Sequence, residues 1–294
     1  MSPQIKVLLR HFNFRVKKRL GQRFLVDEAV LECILSGAEL SQRDVVVEVG
    51  PGLGILTKGL AERAAKVIAV ELDSKLVGIL RKRLAPFPNV KIIHADILKM
   101  APWQLLGNDL AGSELAQGYK VVANLPYYIT SPTIHHFLGA SLKPSIMVVM
   151  VQKEVGEAIA ATRGKMSLLS VRTQFYSKPT IITYVPAQSF YPPPKVDSLV
   201  LRLDVYSRPP IEVSDVAGFF DMVSCGFSSP RKQLRNSLAQ ALGMSPNQTV
   251  QLLEEVEVEA ERRAETLNLE EWKRLWEVFA PFRGKQNVNR LCPS

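Results

Sequence analysis

The stretch DVVVEVGPGLG, residues 44–54, decides the fold of this 294-residue chain. Its first six residues are mostly β-branched, which is typical of a strand buried on both faces of a parallel sheet. Three glycines follow at alternate positions: Gly50, Gly52 and Gly54. Glycines after a first strand let a ligand approach the backbone closely, with a helix N-terminus beyond. The third glycine comes one residue earlier than in the dinucleotide fingerprint G-x-G-x-x-G, so the spacing disfavours NAD(P).

The pattern around this stretch predicts an α/β fold. Further strands are predicted at 66–72, 89–95, 119–125 and 145–152, with helices at 53–64 and 74–84 between them. Such alternation implies a mainly parallel sheet with helices on both faces. Two late strands, 180–185 and 198–204, are predicted to form an antiparallel hairpin at the sheet edge. Beyond the linker Arg208-Pro209-Pro210 the pattern is helical, which predicts an α/β domain at 1–207 and a helical domain at 208–294.

Acidic residues end the next two strands. Glu71 lies 21 residues after Gly50, where an acid in a doubly wound sheet accepts hydrogen bonds from ribose hydroxyls. Asp96 ends the third strand and could accept from the adenine amine of a cofactor. Ligands in open α/β sheets bind at the carboxyl ends of strands. The spacing E-x-G-x-G-x-G with these acids resembles the cofactor motifs of Rossmann-like methyltransferases.

The fourth strand ends in Asn124-Leu125-Pro126-Tyr127, the type of motif that marks amino-group methyltransferases. An adenine amine is a poor nucleophile because its lone pair is delocalised into the ring. The Asn124 amide oxygen and the Leu125 carbonyl can both accept from that amine and orient it. Pro126 fixes the turn, and Tyr127 offers a flat face for stacking a flipped-out base. This quartet therefore predicts a target-base site.

Composition limits the partners. The net charge is +9, and residues 1–25 carry seven basic side chains and no acid. A second basic cluster is Arg231, Lys232 and Arg235. A basic surface attracts polyanions such as nucleic acid, although a merely soluble basic protein is the alternative. The three scattered cysteines and the histidine spacings predict no metal site. The longest apolar run is too short for a membrane span, so we expect a cytoplasmic protein.

Nearly the whole chain resembles the bacterial small-subunit (16S) ribosomal RNA adenine dimethyltransferases. Besides the motifs above, the resemblance rests on several ordered segments: KRLGQRFL at 18–25, VQKEV at 151–155, FYPPPKVDS at 190–198, RK at 231–232, RNSL at 235–238 and RAETL at 263–267.

This resemblance implies a Rossmann-like sheet that binds S-adenosylmethionine, with a smaller C-terminal helical domain. The implied reaction is N6,N6-dimethylation of two adjacent adenosines in a 3′-terminal hairpin loop of small-subunit ribosomal RNA within the assembling subunit. The chain is expected to act as a monomer.

The resemblance also assigns residue roles. The cofactor site is implied to contain Arg23, Leu25, Gly50, Gly52, Glu71, Asp96 and Asn124. The target adenine is implied to be held by Asn124, Leu125, Pro126 and Tyr127, with Phe190 stacking on its other face. RNA is implied to contact Lys17, Lys18, Arg19, Arg231, Lys232 and Arg235.

One residue departs from the family pattern. Position 23 is usually small and polar or a histidine, whereas here it is Arg23. Its guanidinium would repel a sulfonium, so it either contacts RNA phosphate or binds the cofactor carboxylate through its planar fork.

Three alternative functions remain open from the sequence. The related large-subunit ribosomal RNA adenine N6-methyltransferases share the cofactor loop and the quartet, although segment 190–198 and the helical tail favour the small-subunit enzymes. An assembly factor with secondary or lost catalysis is disfavoured by the intact quartet. An NAD(P)-dependent oxidoreductase is disfavoured by the glycine spacing.

Overall fold

The computed structural model describes residues 3–17, 20–107 and 118–285. The chain divides into two compact units, the first comprising Met1–Glu157 and Ser177–Ser207, and the second Ala158–Tyr176 and Arg208–Ser294. The second unit thus includes 158–176, which the sequence pattern placed in the domain 1–207. The reason is apolar packing, because Val171 and Phe175 are fully buried in the same core cluster as Phe219 of the helical tail.

The first unit is built on strands. In chain order they are β1 (Phe24–Leu25), β2 (Val45–Val49), β3 (Lys66–Glu71), β4 (Val90–His94), β5 (Lys120–Asn124), β6 (Ile146–Gln152), β7 (Ser177–Val185), β8 (Phe190–Tyr191) and β9 (Ser198–Val205). Within the described ranges, seven of them form one sheet in the order β4-β3-β2-β5-β6-β9-β7. The first five strands in this order, from β4 through β2 to β6, are mutually parallel, whereas β9 runs antiparallel to both of its neighbours. The predicted parallel sheet and the antiparallel pair at its edge are confirmed.

Helices cover this sheet and make up the second unit. They are α1 (Pro3–His11), α2 (Glu28–Gly37), α3 (Ile55–Ala61), α4 (Ser74–Arg83), α5 (Pro102–Leu106), α6 (Thr130–Leu138), α7 (Lys153–Ile159), α8 (Leu168–Tyr176), α9 (Val216–Phe227), α10 (Leu234–Leu242), α11 (Pro246–Glu255) and α12 (Leu269–Phe279). Helices α1, α2, α5 and α6 were not predicted from the pattern. No helix in the described part of the chain is long and apolar enough to cross a membrane.

The sheet core explains why β2 has no polar alternation. All five residues of β2 are buried, as are the last five of β3. Val46 and Val122 share one apolar cluster with Ile34 of α2 and Leu60 of α3, which cover one face. Strands enclosed on both faces need apolar side chains at every position. A charged residue on β2 is therefore an exception that needs a reason.

The helical unit has its own core around α12. Trp272, Leu275 and Phe279 are buried at helical spacing. The helix starts at Asn268, which forms a reciprocal capping box with Glu271. Arg262 donates to both carboxylate oxygens of Glu271, at 2.6 and 3.0 Å. Such a two-pronged ion pair fixes the loop before α12.

Candidate active site

A cavity of about 290 Å³ opens at the carboxyl edge of β3, β2 and β5. Its walls come from the N-terminal segment 20–25, the glycine loop 50–53, the ends of β3 and β4, and residues 124–129. Parallel strands bring these distant sequence segments to one edge of the sheet. The structure thus brings the sequence-predicted cofactor residues and the quartet together in one cavity.

All three glycines of the loop have a positive φ, and two of them also lie close to neighbouring side chains. Gly52 has φ +59°, and a Cβ there would lie 3.2 Å from the Phe24 ring. Gly54 has φ +76° and a Cβ would come within 2.9 Å of Leu80. The backbone therefore runs close to its neighbours, and the amide of Gly52 donates to Glu71 Oε2 at 3.2 Å.

Glu71 is held rigidly at the end of β3. Its Oε1 accepts from the backbone amide of Asp73 at 2.8 Å, and the residue is only 7% exposed. Burial raises the pKa of Glu71, although the amide hydrogen bonds oppose that shift. Each carboxylate oxygen has two acceptor sites, so one bound amide per oxygen leaves Glu71 able to accept ribose hydroxyls. Asp96 also lines the cavity, with Oδ1 accepting from the Leu98 amide at 3.1 Å.

A network that the sequence did not predict holds the N-terminal segment to this site. Lys17 forms an ion pair of 2.8 Å with Asp73, whose side chain is fully buried. Gln22 donates to the same Asp73 oxygen at 3.0 Å and accepts from the Lys17 amide at 2.8 Å. Burial opposes ionisation of Asp73, but these contacts hold its pKa below the usual value. The Lys17 ammonium is therefore engaged by a buried carboxylate, and its assignment to RNA stays a prediction.

Asn124 is oriented by the backbone of the N-terminal segment. Its Nδ2 donates to the Arg23 carbonyl at 3.1 Å. Because the side-chain nitrogen Nδ2 is engaged there, the side-chain oxygen Oδ1 is the atom that can accept a hydrogen bond from a ligand. This contact spans 101 residues of sequence. The backbone carbonyl of Arg23 therefore orients Asn124, a role that the sequence did not predict.

The quartet continues as a tight turn. Leu125 is buried and its amide donates to Met150 at 3.2 Å, while Ile129 donates to the Pro126 carbonyl at 3.0 Å. The Tyr127 hydroxyl lies 2.8 Å from Ser198 Oγ. Burial raises the pKa of Tyr127, whereas Ser198 and the nearby Arg23 guanidinium lower it. The Arg23 side chain thus acts on the Tyr127 side of the cavity.

Phe190 is not placed at the cavity. It pairs with Leu25 across β1 and β8, is 3% exposed and belongs to the apolar core over the sheet. Stacking on a base requires an accessible ring face, and this ring has none in the structure. The stacking role of Phe190 stays a prediction; in the structure the residue pairs with the strand that carries Leu25, which does line the cavity. Tyr128, at 54% exposure on the cavity wall, is an aromatic residue that the sequence analysis overlooked.

Glu48 was also overlooked as a site residue. It lies on β2 within the buried run and contributes to the cavity wall. Burial raises its pKa from 4.5 to about 8, a Thr57 hydroxyl opposes this shift, and the Glu71 carboxylate adds to it. The sequence signal was present, since a lone acid interrupts a run of valines.

The basic cluster of the second unit is only partly free. Lys232 donates to Gln240 Oε1 at 2.9 Å, and Arg235 pairs with Glu261 at 3.1 Å. Arg231 is exposed. Two other expected RNA contacts, Lys18 and Arg19, lie outside the described residues. Within the described ranges, no group of three or more His, Cys, Asp or Glu could hold a metal ion.

One reversed strand beside the edge of an otherwise parallel sheet is the topology of the Rossmann-like methyltransferases. The Asn-Leu-Pro-Tyr turn after β5 is typical of those that modify amino groups. The family model described as ribosomal RNA adenine dimethylase matches residues 13–275. The chain belongs to this family.

Curated relatives extend over almost the whole chain. The ribosomal RNA small subunit methyltransferase A of Dehalococcoides mccartyi is 46% identical over 279 residues, covering 95% of this chain and 94% of the relative. The protein of the same name from Alkaliphilus metalliredigens is 39% identical over 284 residues, covering 95% and 98%.

Solved structures agree on the fold. The crystal structure of the 23S rRNA methyltransferase ErmE has a TM-score of 0.68 and 28% identity, covering 87% of this chain and 99% of that one. A dimethyladenosine transferase from Plasmodium falciparum has a TM-score of 0.74, at 24% identity, and covers 88% of this chain and 98% of its own. At that identity the second match concerns the fold alone.

Proposed function

We propose that this chain transfers methyl groups from S-adenosylmethionine to the N6 atoms of adenines in small-subunit ribosomal RNA. The observation that carries the proposal is the fixed amide of Asn124, whose nitrogen is held by Arg23 beside the glycine loop and Glu71. An amide held in this way presents an acceptor for an adenine amine. Two adjacent adenosines in a 3′-terminal hairpin loop are the proposed targets, and the proposed form is a cytoplasmic monomer.

The residues of the cavity fit S-adenosylmethionine better than a dinucleotide. Glu48, Glu71 and Asp96 all contribute to the wall, and Arg23 is the only basic residue among the described lining residues. Three acidic side chains would repel the negatively charged diphosphate of a dinucleotide. The cofactor proposed here carries a sulfonium and an ammonium against one carboxylate, so an acidic wall attracts it. Glu71 would hold the ribose hydroxyls, Asp96 the adenine amine, and Gly50 and Gly52 would allow close approach of the backbone.

The cofactor, when bound, supplies an electrophilic methyl group. The chain then has to hold the target amine in line with it. The Asn124 Oδ1 and the Leu125 carbonyl would accept the amine hydrogens, and the Tyr127 ring, fixed through Ser198 at 2.8 Å, would support the base. Placement of reactants at about 3–3.5 Å is a large source of rate acceleration.

No general base is needed in this scheme. The amine nitrogen becomes positive as it attacks, so its proton is strongly acidic and leaves to water. Burial raises the pKa of Tyr127, which keeps its phenol protonated in the neutral range. After one methyl transfer a single N–H remains, and it can bond to either Asn124 or Leu125. Two additions to one nitrogen are thereby allowed, and the rate at saturating substrate should be flat from about pH 6.5 to 9.

RNA is proposed to bind the basic segments. Arg231 is the strongest candidate in the helical unit, because Lys232 and Arg235 already have partners. Lys18 and Arg19 remain candidates in the N-terminal segment. Loss of one phosphate contact should flatten the slope of log affinity against log salt by about 0.7–0.9. Arg231→Ala should show that change, whereas the matched variant Arg235→Ala should show less, and equal slopes for both would remove this distinction.

A substrate test decides the proposed function. Undermethylated small subunits, large subunits and free ribosomal RNA are each incubated with the protein and labelled S-adenosylmethionine. Mass spectrometry of the nucleosides should show N6,N6-dimethyladenosine in the small subunit only. Dimethyladenosine arising in the large subunit instead would favour the alternative substrate, and absence of methylation on either would refute the proposal.

A further inference from the structure

Glu48 has no task in the reaction outlined above, yet it is the most deeply buried acid of the cavity wall. It is 1% exposed, and its Oε2 has no hydrogen-bond partner among the described residues. A buried polar atom without a partner destabilises the folded state. An orphaned carboxyl oxygen in the wall of a ligand cavity points to a role toward the ligand.

The strand register gives its position in the cavity. Glu48 lies opposite Ala69 of β3 and Val122 of β5. Glu71 follows Ala69 by two residues and Asn124 follows Val122 by two. Glu48 therefore lies beneath the middle of the cavity, between the proposed ribose acceptor and the proposed amine acceptor. The reacting end of the cofactor belongs in this interval.

The surroundings of Glu48 offer no cation. From α3 it faces the Thr57 hydroxyl, and from β3 the carboxylate of Glu71, the one charged group among the described residues that acts on it. Its register neighbours Ala69 and Val122 are apolar. Burial is the main reason that the pKa of Glu48 is raised to about 8. Without a ligand, most molecules at neutral pH carry a neutral Glu48.

We propose that Glu48 distinguishes the cationic cofactor from its product, because it releases its proton to solvent when S-adenosylmethionine fills the cavity and keeps it when S-adenosylhomocysteine does. This inference rests on the proposed function. The cofactor carries one positive charge more than the product, on the sulfonium. In a low-dielectric cavity that charge offsets the cost of ionising Glu48, and the ionised carboxylate in turn strengthens binding. The neutral product gives no such compensation, so exchange of product for fresh cofactor is favoured.

Calorimetry in two buffers of different ionisation enthalpy measures this proton release directly. Wild type, Glu48→Gln and the exposed control Glu62→Gln are titrated at pH 7 with each ligand. The amino group of the ligand also titrates, so the informative quantity is the difference between wild type and Glu48→Gln. We expect about 0.5–1 extra proton released by wild type with S-adenosylmethionine and below about 0.3 with S-adenosylhomocysteine. Glu62→Gln should match wild type.

Affinity gives a second readout. Glu48→Gln, which imitates the protonated side chain, should lower the ratio of cofactor to product affinity at least about fivefold at pH 8.5. Equal proton counts in wild type and Glu48→Gln would overturn the inference while leaving the proposed function intact. Failure of wild type to bind either ligand would refute the cofactor assignment itself.

Discussion

The two edges of the central sheet differ in how their acidic side chains are paired. At the amino edge, Lys120 pairs with Asp44 at 3.2 Å and donates to the Glu39 carbonyl at 2.7 Å. Arg202 pairs with Asp204 at 2.7 Å and also with Glu39. Every acid named here has a cation. The pKa of Glu39 is accordingly held below its usual value by the Arg202 hydrogen bond.

At the carboxyl edge, the ion pairs among the described residues leave out two buried acids, Glu48 and Glu71. Glu48 and Glu71 are more deeply buried than Glu39, and burial raises the pKa of both. Within the described ranges, Asp73 is the acid of this edge that forms an ion pair, with Lys17. Burying acids without counter-ions destabilises the free protein, so this edge is organised for a positively charged ligand, whereas the amino edge is organised for stability. Predictions for variants at the two edges should differ in kind.

The largest effect is expected at Asn124. Asn124→Ala removes the acceptor that would orient the target amine, so we expect methyl transfer to fall at least about 1000-fold, equivalent to about 4 kcal/mol. Single-turnover rates at saturating cofactor measure this. Cofactor affinity and thermal unfolding should stay near wild type, as they should in the exposed control Asn247→Ala. A loss below tenfold would mean that the amide has no orienting role.

The sequence predicted the parts of this edge that depend on local pattern. The glycine loop, Glu71, Asp96 and the quartet all follow strands, and strand ends can be read from runs of β-branched residues. The mainly parallel sheet and the antiparallel pair at its edge followed from the same alternation. These features therefore needed no knowledge of long-range contacts.

The missed parts depend on contacts between distant residues. Lys17 meets Asp73 across 56 positions, and Asn124 meets Arg23 across 101. Phe190 was expected to stack on a base because an aromatic ring before a Pro-rich loop does not reveal whether its faces are covered. In the structure the ring is buried with residues of α2 and β1, which depends on contacts that the sequence does not show. Glu48 was visible in the sequence, but its lack of a partner was not.

A second prediction uses the pH dependence of stability. The pKa of Glu48 is about 8 in the fold against 4.5 in a free glutamate. Between these values the folded state holds a proton that the unfolded state has lost, so the free energy of unfolding falls as pH rises from about 5 to 8. Glu48→Gln has no carboxyl group to titrate at this position, so this fall in its unfolding free energy is absent. Urea unfolding measures this effect. From pH 5 to pH 8, the unfolding free energy of the variant relative to that of wild type should rise by on the order of 2 kcal/mol.

The opposite sign would contradict the assignment of a buried neutral acid. Asp73 does not confuse the comparison, because its pKa is lowered and its contribution is lost only as pH falls below the window. Glu62→Gln, on the exposed end of α3, serves as control and should show no pH-dependent difference from wild type.

A third prediction concerns the ribose acceptor. Glu71→Ala removes a carboxylate expected to make charge-assisted hydrogen bonds to ribose hydroxyls, so we expect cofactor affinity to fall at least about tenfold, or about 1.4 kcal/mol. Calorimetry with S-adenosylhomocysteine measures it. Glu62→Ala should bind as wild type does. Unchanged affinity in a folded Glu71→Ala protein would remove Glu71 from the site.

The smallest effect is expected at the amino edge, where it separates the two kinds of charge. Arg202→Met deletes the cation shared by Glu39 and Asp204 and the hydrogen bond of 3.0 Å to the Gly37 carbonyl. Both carboxylates are about half exposed and can be rehydrated, so the loss should be only about 1 kcal/mol of unfolding free energy. Exposed Arg81→Met should change less than about half of that.

The cofactor affinity of Arg202→Met should remain within about twofold of wild type, since its charges lie at the opposite ends of the strands and exposed charges are screened within about 10 Å at 0.1 M salt. High salt should also shrink the stability difference, because the ion-paired part of the loss is screened while the hydrogen bond to Gly37 is not. If affinity fell together with stability, the amino edge would be coupled to the cavity through the sheet. The division between a stabilising edge and a ligand-binding edge would then be wrong.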